Sequence, residues 1–147
     1  MDHDIDALAA SLEQLTVMVR RLVPPDGMSL TAVSTLRALQ DSGPRRLSEL
    51  AVVQGVTQPA MTQLVTRLER DGYASRGGSP DDARVVLVSL TDAGADLLRR
   101  RRATRVRVLR ELIDTLPDAD QDLVYAAVPA INLLAGLSQP DDRSRIR

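Results

Sequence analysis

The sequence predicts a mainly α-helical fold that carries one small β-hairpin. Apolar residues recur every three or four positions through most of the chain, which is the spacing of one buried helix face. One β-branched run, residues 85–90, stands apart and follows a turn that contains Gly and Pro. The 147 residues suffice for one domain with a sizeable core.

Three helices are predicted before residue 56. The first covers residues 4–22 and ends at the "PPDG" of 24–27. The second covers 31–40, with Thr31 as its N-cap and Val33, Leu36 and Leu39 inward. The third is short, 47–53, and Gly55 ends it, because glycine tolerates the positive φ of a tight turn.

A fourth helix and the hairpin follow. Thr57 is a good N-cap, Pro59 is tolerated in the first turn, and "RDG" at 70–72 closes the helix. The inward stripe is Met61, Leu64, Val65 and Leu68. Strands are predicted at 73–76 and 85–90, joined by the turn "GGSPDD".

Two helices complete the chain. Thr91 caps one that extends to about residue 114, and "DADQ" at 118–121 resembles a capping box for another over 119–136. Pro129 should kink or split that last helix. The segment 138–147 is predicted to be a disordered tail.

This order of elements predicts a winged helix-turn-helix over residues 30–95. The segments 4–23 and 96–137 are predicted to form a helical dimerisation region, because their apolar stripes need a partner and a second copy is the simplest one. The residues assigned to dimerisation are Ile5, Leu8, Leu12, Leu15, Leu123, Val124, Ala127 and Ile131.

Composition excludes several classes of protein. No cysteine is present, and the one histidine is His3, so no catalytic site, metal site or cofactor is predicted. No membrane span or signal peptide is found, so the expected location is cytoplasmic. Residues 43–110 carry a net charge of +6 between acidic ends, which indicates a region that binds a polyanion.

The fourth helix carries the residues predicted to bind DNA. In helix-turn-helix proteins the N-terminal part of the recognition helix meets base edges in the major groove. Gln can pair with adenine, Thr can contact the thymine methyl, and Arg67 lies far enough along the helix to reach phosphate. The predicted contacts are Thr57, Gln58, Pro59, Thr62, Gln63, Thr66 and Arg67.

The wing adds Arg76, Asp82 and Arg84 to the predicted contacts. If the strand is extended at 82–84, Asp82 and Arg84 share one face, and the carboxylate can orient the guanidinium for a minor groove. The alternative is a surface ion pair of little consequence. The run "RRRR" at 99–102 is interpreted as a solvated helix with some Arg stems at the dimer interface, or else as a phosphate contact.

Two stretches closely resemble the MarR family of bacterial regulators: "LSELAVVQGVTQPAMTQLVTRLERDGYASR" and "DDARVVLVSLTDAG". Asp82-Ala83-Arg84 matches the family's D-x-R wing, and Leu90 to Gly94 matches its L-T-x-x-G. The resemblance implies a homodimer on a pseudo-palindromic operator in double-stranded DNA, often released by a small aromatic or phenolic ligand. The lack of cysteine excludes the thiol-sensing branch of the family.

The sequence therefore predicts a sequence-specific DNA-binding transcriptional regulator. We expect a homodimeric repressor of its own or adjacent genes, with a small-molecule effector as a further partner. The alternative is a winged-helix protein-interaction module without DNA binding, against which the basic middle and the Asp82/Arg84 pair count. An enzyme is the least favoured class.

Overall fold

The computed structural model describes residues 4–22 and 26–137. In this part of the chain the helices are α1 (Ile5–Arg21), α2 (Leu30–Ser42), α3 (Leu47–Gln54), α4 (Gln58–Arg70), α5 (Asp92–Ile113), α6 (Asp118–Ala126) and α7 (Val128–Leu137). The strands are β1 (Ala74–Gly78) and β2 (Val86–Leu90), which pair antiparallel. The predicted mainly helical fold with one β-hairpin is confirmed.

The chain divides into two compact units, residues 1–106 and 107–147. Of the second unit the structure describes residues 107–137. The proposed tail at 138–147 lies outside the described residues. The predicted functional division, with a DNA-binding domain at 30–95 and dimerisation segments on either side, stays a prediction.

The hydrophobic core of the first unit lies between α2, α3, α4, the hairpin and the beginning of α5. Leu36, Met61, Val65 and Val88 have no measurable exposure, and Leu50 and Leu68 are almost as buried. On α4 the buried residues fall at the i, i+4 and i+7 positions that the sequence predicted. This packing fixes which face of α4 remains at the surface.

The beginning of α2 differs from the prediction. The N-cap is Ser29, whose hydroxyl accepts the N–H of Ala32 at 3.1 Å, and Thr31 lies inside the first turn. Both hydroxyl residues suit an N-cap, so residue type alone did not separate them.

The connection from α3 to α4 follows the prediction. Gly55 has a φ of 63°, which a glycine adopts without steric cost, and its N–H donates to Val52 at 3.1 Å. Thr57 then caps α4, where its hydroxyl accepts the N–H of Ala60 at 3.3 Å. Pro59 lies in the first turn, where its missing N–H is not needed.

The hairpin lies slightly later in the chain than predicted, with Gly78 opposite Val86 at its tip and Ala74 opposite Leu90 at its base. A single residue before α3 extends the sheet. Arg45 donates its N–H to Val88 at 3.0 Å and accepts the N–H of Val88 at 2.8 Å. One-residue pairing leaves no periodic pattern, so the sequence did not indicate it.

The junction between α4, the hairpin and α5 is held by Thr91, whose capping role was predicted. Its hydroxyl donates to the Gly72 carbonyl at 2.6 Å and accepts the N–H of Gly94 at 3.1 Å. Its own N–H donates to the Tyr73 carbonyl at 3.2 Å. A side chain at position 94 would overlap that same carbonyl, so the junction requires glycine there.

In the second unit, the predicted capping box at 118–121 is wrong. The residue at the N-cap of α6 is Pro117, which makes no side-chain cap, and Asp118 is the first helical residue. Gln121 donates its side-chain amide to the Leu116 carbonyl at 2.9 Å instead of reaching a cap residue.

Pro129 splits the predicted last helix, because α6 ends at Ala126 and α7 begins at Val128.

Candidate nucleic-acid interface

The outer face of α4 is polar and exposed. Its buried side packs in the core, and the residues left at the surface are those predicted to meet DNA: Gln58, Pro59, Thr62, Gln63, Thr66 and Arg67, with Thr57 just before the helix. Their exposure agrees with the sequence, and their contact with DNA stays a prediction.

Some side chains on this surface of α4 are hydrogen-bonded within the helix (committed side chains), and others are not (available side chains). The Thr62 hydroxyl donates to the Gln58 carbonyl at 2.9 Å, and the Thr66 hydroxyl donates to the Thr62 carbonyl at 2.8 Å. Thr62 therefore offers an external ligand a methyl group and an acceptor but no donor, whereas the Thr66 hydroxyl also accepts a hydrogen bond from Arg76 at 3.2 Å. Among the described residues, no hydrogen bond engages the side chains of Gln58, Gln63 or Arg67.

The wing tip is a turn that continues through residues 82–85, so the condition that the strand is extended at 82–84 is not met. The Ser79 N–H donates to the Val85 carbonyl at 2.8 Å, and the Val85 N–H donates to the Asp82 carbonyl at 3.0 Å. Asp82 uses its carboxylate to accept the backbone N–H of Arg84 at 2.9 Å. The i to i+3 bond folds residues 82–85 into a β-turn, and this turn presents Arg84 at the surface.

The expected pairing of the Asp82 carboxylate with the Arg84 guanidinium is therefore wrong in its geometry. No ion pair joins these two side chains in the described residues. The carboxylate instead fixes the backbone that carries Arg84, in the manner of an Asx turn.

Arg76 is the predicted wing residue that does not project freely. It lies on β1, and its guanidinium forms an ion pair with Glu69 on α4. It also donates to the Thr66 hydroxyl at 3.2 Å. No local pattern in the sequence indicates this pairing, since Glu69 and Arg76 meet only after the hairpin has packed against α4.

The four arginines at 99–102 serve different purposes. Arg101 is buried, forms an ion pair with Asp26, and has its pKa lowered by that burial. Asp26 also accepts the Met28 N–H at 3.1 Å, so the pair ties α5 to the segment before α2. Arg99 pairs with Asp96, whereas Arg100 and Arg102 are exposed. The run is therefore partly structural, and its other members remain at the surface.

A cleft of about 470 Å³ lies between α2 and α5 within the first unit. Its lining comprises Arg37, Gln40, Asp41, Leu98, Arg99, Arg102, Arg105 and Val106. The Nε of Arg105 is buried and has no hydrogen-bond partner in the described residues. Burial lowers the pKa of Arg105, and the nearby charges of Arg37 and Arg101 lower this pKa further. The cleft thus holds more positive charge than its single carboxylate balances.

Large apolar side chains are exposed on both units. On α1, the four residues assigned to dimerisation, Ile5, Leu8, Leu12 and Leu15, are between 41% and 68% exposed. In the second unit the corresponding set, Leu123, Val124, Ala127 and Ile131, is also exposed. Each unit therefore presents an apolar surface that the described chain leaves uncovered. None of the described helices has both the length and the hydropathy that crossing a membrane requires.

The Gly55 turn between α3 and α4, followed by the hairpin, defines a winged helix-turn-helix, the class of DNA-binding transcriptional regulators. Residues 26–85 match the model of the MarR family. An HTH-type transcriptional regulator of Mycobacterium tuberculosis is 33% identical over 129 residues, which are 84% of this chain and 90% of the relative. One of Mycobacterium leprae is 33% identical over 133 residues, 87% and 93% of the two chains.

Solved structures of transcriptional regulators have a similar fold. A transcriptional regulator from Pseudomonas aeruginosa has a TM-score of 0.77 at 26% identity, over 92% of this chain and 97% of that one. BpsR of Bordetella bronchiseptica, whose DNA binding is regulated by 6-hydroxynicotinic acid, has a TM-score of 0.62 at 21% identity, over 96% and 97%. The chain belongs to the MarR family of transcriptional regulators, and the resemblance noted in its motifs is confirmed.

Proposed function

We propose that the chain is a homodimeric repressor that binds a pseudo-palindromic operator near its own or adjacent genes. The observation that carries this proposal is the exposed polar face of α4 beside a wing turn that presents Arg84. A protein that acts on bacterial operators works in the cytoplasm and needs no catalytic group.

Each exposed group of α4 has a proposed role on DNA. The free amides of Gln58 and Gln63 suit adenine edges, and the methyl groups of Thr62 and Thr66 suit the thymine methyl. Thr57 and the free backbone N–H groups around it suit a phosphate at the helix N-terminus, beside Pro59. Arg67, further along the helix, suits a phosphate as well.

The wing reaches the flank of each half-site. Arg84 enters a narrow minor groove, where the negative potential attracts a guanidinium. Asp82 contributes by holding the turn from which Arg84 projects, because its carboxylate accepts the Arg84 N–H.

A homodimer covers the exposed apolar side chains of α1, α6 and α7. Two-fold symmetry of the protein would match the two-fold symmetry of a pseudo-palindrome. The same eight residues that were assigned from the sequence carry this part of the proposal, since all of them are exposed in the single chain.

The arginine-lined cleft between α2 and α5 is the proposed effector site. Three of its guanidiniums, those of Arg37, Arg102 and Arg105, have no ion-pair partner in the described residues. A small organic anion with an apolar body fits this lining, because Leu98 and Val106 supply apolar contact. Its volume is in the range of small-ligand pockets.

Operator binding is tested by a gel shift with the DNA upstream of the chain's own gene. We expect one retarded species that competes with specific but not with unrelated DNA. A Gln58→Ala/Gln63→Ala double variant should lose this preference while keeping its fold. Failure of the wild-type chain to bind this DNA or flanking intergenic DNA, combined with specific capture of another protein, would favour the protein-interaction module.

The effector site is tested by titrating 6-hydroxynicotinic acid and benzoate against the operator complex. We expect a carboxylate to raise the melting temperature of the free protein and to release DNA, and Arg105→Gln to abolish both effects. The matched control is Arg100→Gln, which removes an exposed arginine of the same helix outside the cleft lining. An unchanged response in Arg105→Gln would rule out this cleft as the site.

A further inference from the structure

Arg76 makes four hydrogen bonds toward α4 and its last turn. One guanidinium nitrogen donates to Glu69, and the other donates to the Thr66 hydroxyl at 3.2 Å and to the Thr62 carbonyl at 3.3 Å. The backbone N–H of Arg76 donates to the second oxygen of Glu69 at 2.9 Å. A fork-shaped donor is needed to satisfy these acceptors together.

The two charged side chains are withdrawn from solvent. Arg76 and Glu69 each keep 27% of their side-chain surface exposed, whereas Arg70, one residue further on α4, keeps 74%. A guanidinium that is already paired and half-buried would have to break these bonds before it could reach a phosphate. This cost argues against a direct contact with DNA.

The contacts of Arg76 join the two elements proposed to touch DNA. Thr62 and Thr66 lie on the exposed face of α4, and Arg76 lies on β1 opposite Val88, at the level where Arg45 pairs with the other edge of β2. The cluster therefore adds a polar connection between α4 and the hairpin to the apolar core that they share. The Thr66 hydroxyl donates to the Thr62 carbonyl and accepts from Arg76, so its methyl group is the part of the side chain that remains for DNA.

We propose that Arg76 is a positioning residue, which with Glu69 sets the wing against the recognition helix, and that it does not itself bind DNA. This inference rests on the proposed function. It replaces the sequence-based assignment of Arg76 as a wing contact, and it adds Glu69, which the sequence did not single out.

The two roles predict opposite signs for one variant. If Arg76 bound phosphate, Glu69→Ala would release its guanidinium and remove a negative charge, and operator binding would tighten. If Arg76 positions the wing, Glu69→Ala misplaces it, and binding weakens. The double variant Glu69→Ala/Arg76→Ala should then bind the operator as well as the more weakly binding of the two single variants. Each of the three variants lacks the same Glu69–Arg76 contact, so their effects should not add.

The experiment measures the operator affinity of Glu69→Ala, Arg76→Ala and the double variant across a salt series. We expect each to bind about tenfold more weakly than wild type, which corresponds to the freedom of one or two released side chains. The dependence on salt should stay within about half a charge of wild type, because no phosphate contact is lost. Arg70→Ala is the matched control, since within the described residues this arginine of α4 pairs with its exposed neighbour Asp71 alone.

Arg76→Lys and Glu69→Gln keep the test valid if the alanine variants fold poorly. Lysine preserves the charge but not the fork, so a positioning role predicts weakened binding, whereas a phosphate contact would be largely retained. Footprinting adds a readout that loss of stability would not give: the flanks protected by the wing should be lost while the central protection by α4 remains.

Tighter binding by Glu69→Ala, or a salt dependence reduced by about one charge in Arg76→Ala, would overturn the inference while leaving the proposed function intact. Failure of the wild-type chain to bind operator DNA would instead overturn the proposed function.

Discussion

Side chains of α4 differ in how much of their hydrogen-bonding capacity remains for DNA. The hydroxyl donors of Thr62 and Thr66 are consumed by backbone carbonyls one turn earlier. The amides of Gln58 and Gln63 have no such bond among the described residues. On the proposed DNA-binding face, discrimination by hydrogen bonds would therefore fall to the glutamines, and the threonines would contribute shape and methyl contacts.

We expect Gln63→Ala and Arg67→Ala to fail differently. Loss of the Gln63 amide should cost about 1–3 kcal/mol on the preferred operator and relax the preference at one base position. Loss of Arg67 should weaken binding to all sequences alike and lower the salt dependence by about one charge. The measurement is affinity for the operator and its single-base variants at several salt concentrations. An equal loss of specificity in both variants would contradict the proposed facing of α4.

Two substitutions at Asp82 separate its charge from its hydrogen bond. Asp82→Ala removes the acceptor of the Arg84 N–H, so the turn loosens and DNA binding should weaken by a few-fold, even though a negative charge is lost. Asp82→Asn keeps an acceptor and also loses the charge, so it should bind as well as wild type or more tightly. Operator titrations of both variants, with Arg84→Ala for reference, check this order. Tighter binding by Asp82→Ala at every salt concentration would exclude the orienting role.

Between elements, the decisive contacts are those that join α4, the hairpin and α5. Thr91 links the end of α4 to the first turn of α5, because its hydroxyl bonds to both Gly72 and Gly94. The absence of a side chain at Gly94 lets α5 begin directly against the Tyr73 carbonyl. The L-T-x-x-G motif therefore fixes the position of the first turn of α5 against the end of α4 and the beginning of the hairpin.

Gly94→Ala should therefore destabilise the chain. The new methyl group would meet backbone atoms of Tyr73, which can move only if α5 or the hairpin shifts, at a cost of about 1–3 kcal/mol. Thermal unfolding followed by circular dichroism should show a melting temperature several degrees below wild type. Gly77→Ala is the control, because a side chain at that position meets nothing. Equal melting temperatures for the two variants would show that α5 does not pack as described.

Local signals predicted most of these elements, and long-range contacts supplied the rest. The Gly55 turn, the Thr57 cap and the split at Pro129 follow from single residues with strong backbone preferences, so the sequence sufficed. The Arg45 bridge and the Glu69–Arg76 pair depend on how the hairpin packs, and no pattern of residue spacing in the sequence indicates this packing. The predicted Asp82–Arg84 pairing required an extended strand at 82–84, and the i to i+3 bond from Val85 to Asp82 folds these residues into a turn instead.

For the whole molecule, the exposed apolar side chains of the two units make self-association the main expectation. We predict a stable homodimer with twice the 16.0 kDa mass of one chain and an interface larger than about 2,000 Å². Light scattering at micromolar concentration measures this mass. Leu12→Asp and Ile131→Asp should each shift the chain toward monomer, whereas Val52→Asp, an exposed apolar position on α3, should not. A wild-type chain that stays monomeric would contradict the prediction.

Operator geometry follows from the same dimer. Two recognition helices related by a two-fold axis should lie about 34 Å apart, one turn of DNA, or close enough for a small rotation to bring them there. Footprinting should show protection over a pseudo-palindrome of about two turns. Protection of one isolated half-site would exclude the symmetric arrangement.

The division of α4 into committed and available side chains also shapes how such a regulator can evolve. Exposed residues whose side chains make no hydrogen bond within the described protein generally tolerate substitution within about 0.5 kcal/mol of stability. Gln58 and Gln63 belong to this group, so a duplicated gene could acquire a different operator by mutation at these two positions while the fold is preserved. Changes at Glu69 or Arg76 would disturb the placement of the wing for every operator at once, and selection should therefore hold that pair fixed while the glutamines drift.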